Sequence, residues 1–383
     1  MKVTQTTIGR FHHFHLARQL VKFGLLERIY TGYPKFKIKD EKGIPLNKIE
    51  TFPWFHAPYM ARSKLKLEKY EKLNDAWRLI DQLTFDNHVA NRLKKPTLLI
   101  ALSGSAVKSG SFNQKLGGKW ICDRGSSHIE YQNSLLKEEY SLWGIKYRPN
   151  DPRIMERECI EYELSDFITV PSKFVYDSFI KKGVPESKLV KIPYGANLDR
   201  FSKVCEPEKN IFSVLWVGNV SIRKGFLYAL DAFHKLKFKS KKFTVIGSVE
   251  ENIKSRLKNY NLTNVNFKGR VSNELLADYY SSHHVFVIPS IEEGLAMVQG
   301  EALACGCPII ATANTGSEDL FDDGQEGFRV PIRDSSAILH SFEKILDRPE
   351  LRQEMSEKAL EKVKNLGGWD TYGANYKLFL NKL

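Results

Sequence analysis

The chain has 383 residues, 42% of them hydrophobic and 27% charged, which fits a folded globular protein and excludes a disordered or fibrous one. That length exceeds one ordinary core and suits two domains of roughly 150 to 200 residues, so a lone small binding module is excluded as well. Lys and Arg outnumber Asp and Glu by 58 to 45, a net charge of +13, and residues 1–200 hold 34 basic against 22 acidic side chains, so +12 of the excess lies in the first half.

In chain order, a short strand at Lys2 to Thr6 leads to Gly9 and a helical pattern, FHLARQLVKFGL, followed by the strand LERIYTG. Residues 60–95 are charged and helical in pattern, and PTLLIALSG and GKWICDRG are buried strands. A polar helix is predicted over Pro152 to Leu164; then come the strand SDFITVPS, the helix KFVYDSFIKKG and the strand KLVKIPYGA. Turn formers and charge in ANLDRFSKVCEPEKN predict a linker over 197–210.

Beyond it the alternation is clean. The strands FSVLWVGN, KFTVIGS, NVNFKG, HVFVIPS and PIIAT are separated by helices at KGFLYALDAFHKL, ENIKSRLKNYNL, NELLADYYSS and LAMVQGEALACG. Such alternation predicts parallel sheets covered on both faces, that is, doubly wound α/β domains.

No uncharged apolar run approaches the roughly 18 to 20 residues of a membrane-spanning helix. The opening MKVTQTTIGRFHHFHLARQL carries no secretory apolar block, so a cytoplasmic protein is expected, touching a membrane only from its surface. Five scattered cysteines form no disulfide framework, and Cys305 and Cys307 lie in an apolar run without ligand partners. The basic first half attracts anionic partners, among them a membrane surface. Trp54, Phe55, Tyr59 and the 64–72 lysine cluster are the expected contact.

Ligands of open α/β sheets sit beyond the carboxyl ends of the strands. At VGNVSIRKG, Gly218 permits close backbone approach while Arg223 and Lys224 place two cations at a helix start, a cradle for a diphosphate. At PSIEEGLAMVQGEAL, Glu293 lies in the loop and Glu301 about two turns into the expected helix, spaced to accept hydrogen bonds from sugar hydroxyls at two places. The first-domain candidates are Gly9, Arg10, His12 and His13 at the first helix, and Asp123 and His128 after GKWIC. HHFH has no Cys or carboxylate at ligand spacing, so no metal is expected there.

Taken together, VGNVSIRKG, FKGRVSNELLADYY, VFVIPSIEEGLAMVQGEALACGCPIIAT, GSEDLFDDGQEGFRVP and IPYGANLDRF resemble the retaining GT-B nucleotide-sugar glycosyltransferases that carry the E-x7-E element. The resemblance spans roughly Glu161 to Pro331 and is thinner upstream, where it rests on CDRGSSHIEYQ. It implies two Rossmann-like domains facing each other across a cleft: an acceptor-binding domain over 1–196, the linker, a donor-binding domain over 211–366, and a C-terminal helix in 367–383 crossing back. Glu293 would meet the donor sugar and Glu301 the ribose; the amides of Gly294, Leu295 and Ala296 would face sugar and phosphates. Lys224 would stabilise the leaving diphosphate, and Arg270 and Val271 would flank the base. A first-domain histidine meets the donor sugar in related enzymes, and His128 is the first choice, Asp123 the second.

Two positions depart from the family pattern: Asn219 stands where Arg is usual, with Arg223 as its substitute, and Ala296 where Gly is common. The implied activity is transfer from a UDP- or GDP-sugar to a glycan or lipid-linked acceptor, with no cofactor. No D-x-D clamp is present, so cations and helix dipoles would replace a metal. The rivals are a non-catalytic sugar-nucleotide-binding partner, suggested by the two departures, and a glycan phosphorylase. A nucleic-acid role would rest on charge alone, without a motif.

Overall fold

A computed structural model describes every residue except Leu65, Glu68 and Asn197. Asn197, the first residue of the expected linker, and two residues of the 64–72 segment therefore lie outside the described residues. The first domain contains β1 (Val3–Thr7), α1 (His13–Lys22), β2 (Leu26–Thr31), β3 (Ile49–Thr51), α2 (His56–Met60), α3 (Glu71–Ala90), β4 (Leu98–Leu102), α4 (Val107–Lys115), β5 (Lys119–Asp123), α5 (Ile129–Leu142), α6 (Pro152–Leu164), β6 (Phe167–Val170), α7 (Lys173–Ile180) and β7 (Leu189–Lys191). Its strands form one parallel seven-stranded sheet in the order β3-β2-β1-β4-β5-β6-β7.

The second domain contains β8 (Phe212–Val217), α8 (Phe226–Lys235), β9 (Lys241–Ile246), α9 (Glu251–Leu257), β10 (Val265–Gly269), α10 (Leu276–Ser281), β11 (Val285–Ile288), α11 (Val298–Ala304), β12 (Ile309–Thr312), β13 (Gly327–Val330), α12 (Ser335–Asp347) and α13 (Pro349–Asn365). Its six strands are also all parallel, in the order β10-β9-β8-β11-β12-β13. In both sheets the strand order reverses beside the first strand of the domain. That reversal opens a crevice at the carboxyl ends, where doubly wound sheets bind ligands.

Burial explains the strands. β8, β11 and β12 are nearly continuous apolar runs because helices cover both faces of the sheet. One layer of that core is aromatic, with Trp216, Phe226, Phe233 and Phe243 all excluded from solvent. β1 occupies the centre of its sheet with all five residues buried although four are polar, and Thr4 and Thr7 find partners in Thr97 Oγ1 and the Gly9 carbonyl.

The 60–95 segment is less helical than its charge pattern predicts: the helix proper is α3, preceded by turns. Two edge strands carry no strong sequence signal. β3 has three residues, and β13 begins with Gly327, whose backbone runs against Ile309 too closely to admit a Cβ.

After α13 the chain returns to the first domain as α14 (Trp369–Leu380), which packs on α1. Tyr372, Tyr376 and Leu380 lie in the same core as Val3, Phe14, Leu20 and Ile29, so the last helix completes a core laid down by the first. Tyr376 is fully buried, and Tyr376→Ala is expected to cost about 3 to 5 kcal/mol, the usual range for deleting a core aromatic ring. Urea unfolding followed by intrinsic fluorescence checks this; an unchanged first-domain midpoint would remove α14 from the core.

Candidate active site

Strand β8 ends in a turn with Gly218 at φ 140°, a conformation favoured by glycine, and open space where a side chain would stand. Asn219 accepts a hydrogen bond from Ser248 Oγ at 2.8 Å, so this polar side chain is tied to the neighbouring β9 turn. Arg223 and Lys224 precede α8, and both reach the loop after β11. Lys224 Nζ pairs with Glu293 Oε1. Arg223 Nη2 is 3.7 Å from Glu293 Oε2, while its Nε lies 3.1 Å from Glu292 Oε2 and donates to the Glu292 carbonyl at 3.0 Å. The cationic turn and the acidic loop therefore share one cluster.

Glu292, which the sequence reading passed over, is the centre of that cluster. It is fully buried, and its Oε1 accepts from the Ser127 N–H at 3.2 Å and from Ser127 Oγ at 2.8 Å, while Oε2 accepts from Gln132 Nε2 at 2.9 Å. Ser127 and Gln132 belong to the first domain, so one carboxylate joins both domains. Burial pushes its pKa up, but Arg223 and the bonds from Gln132 and Ser127 outweigh this and hold it below the ordinary value.

The seam continues on both sides. Ser172 Oγ donates to the Gly294 carbonyl at 2.6 Å, and a Cβ on Gly294 would fall 1.6 Å from the Gly125 carbonyl oxygen, so the two loops touch backbone to backbone. Farther out, buried Glu139 on α5 accepts from Tyr228 at 2.9 Å and from Arg333 at 2.7 Å, both in the second domain.

The acidic loop departs from expectation in its backbone. Helix α11 starts at Val298, which puts Glu301 in its first turn rather than two turns in. Residues 293–296 are instead held against the loop after β12: the Glu293 N–H donates to the Asn314 carbonyl at 3.1 Å and the Ala296 N–H to the Thr315 carbonyl at 3.0 Å. Ala296 thus has no amide to offer a phosphate, and Leu295 is buried. Glu301 Oε2 accepts from Tyr280 at 3.1 Å, and burial raises its pKa. Arg270 is exposed and Val271 packs on the domain core, both just past β10 at the sheet edge.

On the first-domain side, Asp123 ends β5 and is almost completely buried. His12 and His13 direct their Nε2 atoms to its Oδ2, that of His13 at 3.0 Å, and Thr169 donates to Oδ1 at 2.8 Å. The lone-carboxylate partner that HHFH lacks in sequence is thus supplied by the fold. Burial raises the Asp123 pKa, yet the two imidazoles outweigh it and hold the carboxyl well below the usual carboxylate range. Burial also lowers the pKa of His13.

His128 does not face the cleft. It caps α5 by accepting the Glu130 N–H at 3.3 Å, and its ring lies against Tyr162 and Phe179. The ring is carried inward because a cap side chain must fold back over its own helix. Arg10 is committed to Glu41 at 2.6 Å, which also holds Arg18, so it is not free for a phosphate; Gly9 lines the adjoining cavity.

Among the described residues, two sets of side chains have ligand atoms within 4.8 Å of one another: His12, His13 and Asp123, and His128, Glu130 and Cys159. In the first set both imidazoles already share one carboxylate oxygen. In the second, burial pushes the Cys159 thiol up to about 11, which keeps it protonated and a poor ligand.

This architecture is the GT-B fold. Residues 199–362, which span most of the second domain, match the family described as glycosyl transferases group 1. The capsular polysaccharide biosynthesis glycosyltransferase CapM of Staphylococcus aureus is 30% identical over 181 residues, 45% of this chain and 47% of that protein. The chain spans about half the length of the curated relatives it matches. Among solved structures, a sucrose-phosphate synthase from Thermosynechococcus elongatus superposes with a TM-score of 0.73 at 20% identity, covering 100% of this chain and 98% of that one. Anabaena HepE in complex with UDP gives 0.72 at 14% identity, with both chains covered completely. At these identities the likeness is one of fold.

Two outcomes follow from the geometry. Glu292→Ala strands Arg223, Ser127 and Gln132 and is expected to cost about 3 to 5 kcal/mol, as for the loss of one partner of a buried ion pair, with the domains separating. Small-angle scattering and thermal unfolding measure both, and a variant as compact and stable as the parent would refute the role. His128 has its pKa pushed by burial from 6.5 to about 4. The unfolded chain then binds a proton that the folded chain does not, so stability falls as pH drops through 6.5 toward 4. His128→Gln should flatten that fall by at most about 1.4 kcal/mol per pH unit, read from urea unfolding at several pH values.

Proposed function

We propose that the chain is a glycosyltransferase moving a sugar from a UDP- or GDP-sugar to a glycan or lipid-linked acceptor, with retained configuration and without a metal. The observation that carries this reading is the Lys224–Glu293 pair, flanked by Arg223, at the carboxyl ends of β8 and β11 and facing the first domain. A donor diphosphate entering there competes for the two cations. Glu293 is then released to accept hydrogen bonds from the sugar's hydroxyls, and Glu301 takes the ribose.

In the reaction the bond from the anomeric carbon to the diphosphate oxygen breaks through an oxocarbenium-like state while the acceptor oxygen bonds to the same carbon. Charge growing on the leaving oxygen is stabilised by Lys224 and Arg223, partly exposed cations already held in place by Glu292 and Glu293. The acceptor's proton passes to the leaving phosphate on the same face, so no enzymic base is required.

The donor class is supported by the family match over residues 199–362 and by the fold shared with HepE, whose structure holds UDP. A lipid-linked acceptor at the cytoplasmic face of a membrane is supported by the exposed Trp54, Phe55 and Met60 beside Lys64, Lys66, Lys69 and Lys72, and by Arg62 stacked 4.0 Å over Tyr59. Among the described residues no helix is long and apolar enough to cross a membrane.

Thermal-shift screening of UDP- and GDP-sugars should identify a donor that raises the melting temperature. With that donor, Lys224→Ala is expected to lower turnover at least a hundredfold, about 2.7 kcal/mol or more of transition-state stabilisation, and Glu301→Ala to weaken nucleotide binding. EDTA is expected to leave the rate unchanged. Parental kinetics in both variants would refute the site.

A further inference from the structure

Beside the donor cluster, the first domain encloses a cavity of about 470 Å³, within the range of small-ligand sites. It opens among the carboxyl ends of β1, β2, β4 and β5 and extends to Gly125 and Ser126, next to the Ser127 that holds Glu292. Three of its lining side chains carry buried polar atoms without a hydrogen-bond partner: His56 Nε2, Gln82 Oε1 and the Tyr194 hydroxyl. His56 is 7% exposed and Gln82 5%, and each unmet group of this kind costs about 1 to 3 kcal/mol. Three such groups on one cavity leave it with polar partners that no other side chain among the described residues supplies.

The donor and acceptor pattern states what that ligand is. Asp81 Oδ2 lies 2.9 Å from His56 Nδ1, which places the proton on Nδ1 and leaves Nε2 as an acceptor. Gln82 Oε1 also accepts, and a phenol hydroxyl can do either. The site therefore asks for donors, which hydroxyl groups supply and a phosphate or carboxylate does not. The cations nearby are engaged: Arg124 with Glu158 and the Ser127 carbonyl, and Arg78 with Asn150 Oδ1 at 3.3 Å. Tyr33, Tyr59, Phe11 and Met60 add apolar walls of the kind that cover the C–H face of a pyranose ring.

We propose that this cavity is the acceptor subsite, that it takes a neutral pyranose ring, and that His56, oriented by Asp81, and Gln82 position the acceptor hydroxyl toward the donor. The catalytic meaning rests on the glycosyltransferase reading above; the binding does not.

Saturation-transfer NMR on the full chain tests it in the presence of UDP or GDP, whichever binds, using methyl α-D-glucopyranoside, methyl β-D-galactopyranoside and glucose 6-phosphate as probes. At least one methyl glycoside should bind. His56→Ala and Gln82→Leu should each weaken it tenfold or more, and His56→Gln, which keeps a polar group at the end of the side chain, should recover part of the loss. The affinity for that nucleotide, which reports an intact fold, should change less than twofold. Absence of binding by both methyl glycosides, binding insensitive to both variants, or tighter binding of glucose 6-phosphate would overturn the proposal. Where a variant fails to fold, the parental comparison between neutral and phosphorylated sugar still decides it. Failure of the parent to bind UDP and GDP alike, with glycoside binding intact, would sink the glycosyltransferase reading and leave the subsite standing.

Discussion

A carboxylate buried between two domains has to be paired from both sides or it destabilises the contact, and Glu292 meets that condition. Arg223 neutralises it from within its own domain, while Ser127 and Gln132 satisfy its oxygens from the other. The consequence is geometric. With Glu292 held, Glu293 must project next to Lys224, and Gly294 must lie against Gly125, where no side chain could fit. The Lys224–Glu293 cluster and the first-domain cavity are placed beside each other by this one desolvated pair and its hydrogen bonds.

A second buried carboxylate plays the matching part in the first domain. Asp123 collects His12 and His13 from the segment after β1 and Thr169 from β6, and Thr169 in turn accepts a hydrogen bond from Tyr376 on α14 at 2.9 Å. The helix that returns from the far end of the chain is thereby connected, through two hydrogen bonds, to the floor of the site. His12, stacked on Tyr194 and lining the cavity, is fixed by the same carboxylate. Rigidity at both walls of the cleft thus comes from satisfied buried charge more than from loop chemistry.

The Lys224–Glu293 pair has a different character. It is partly exposed and joined to few other groups, so an anionic ligand can exchange for it at modest cost, whereas Glu292 and Asp123 cannot be released without leaving charge unpaired in the interior. Under the proposed function, this division between two structural carboxylates and one exchangeable one would let the cleft stay assembled while its cations turn to a substrate.

The alternation of apolar strands and amphipathic helices was legible in the sequence because it is a local, periodic property: β8, α8, β11 and α6 follow from their own residues. Arg223, Lys224 and Glu293 were legible too, since each stands at a strand end where doubly wound sheets bind ligands. The beginning of α11 was not, because it depends on hydrogen bonds from residues 293 and 296 to the loop after β12. Nor was the inward turn of His128, nor the importance of Glu292 over its neighbour. Glu292 meets Ser127 across 165 residues and His12 meets Asp123 across 111. Composition and periodicity determine which segments form and which faces they bury; which buried charges find one another, and so where the cleft lies and what its walls offer, is decided only when the sheets are stacked and the side chains have directions.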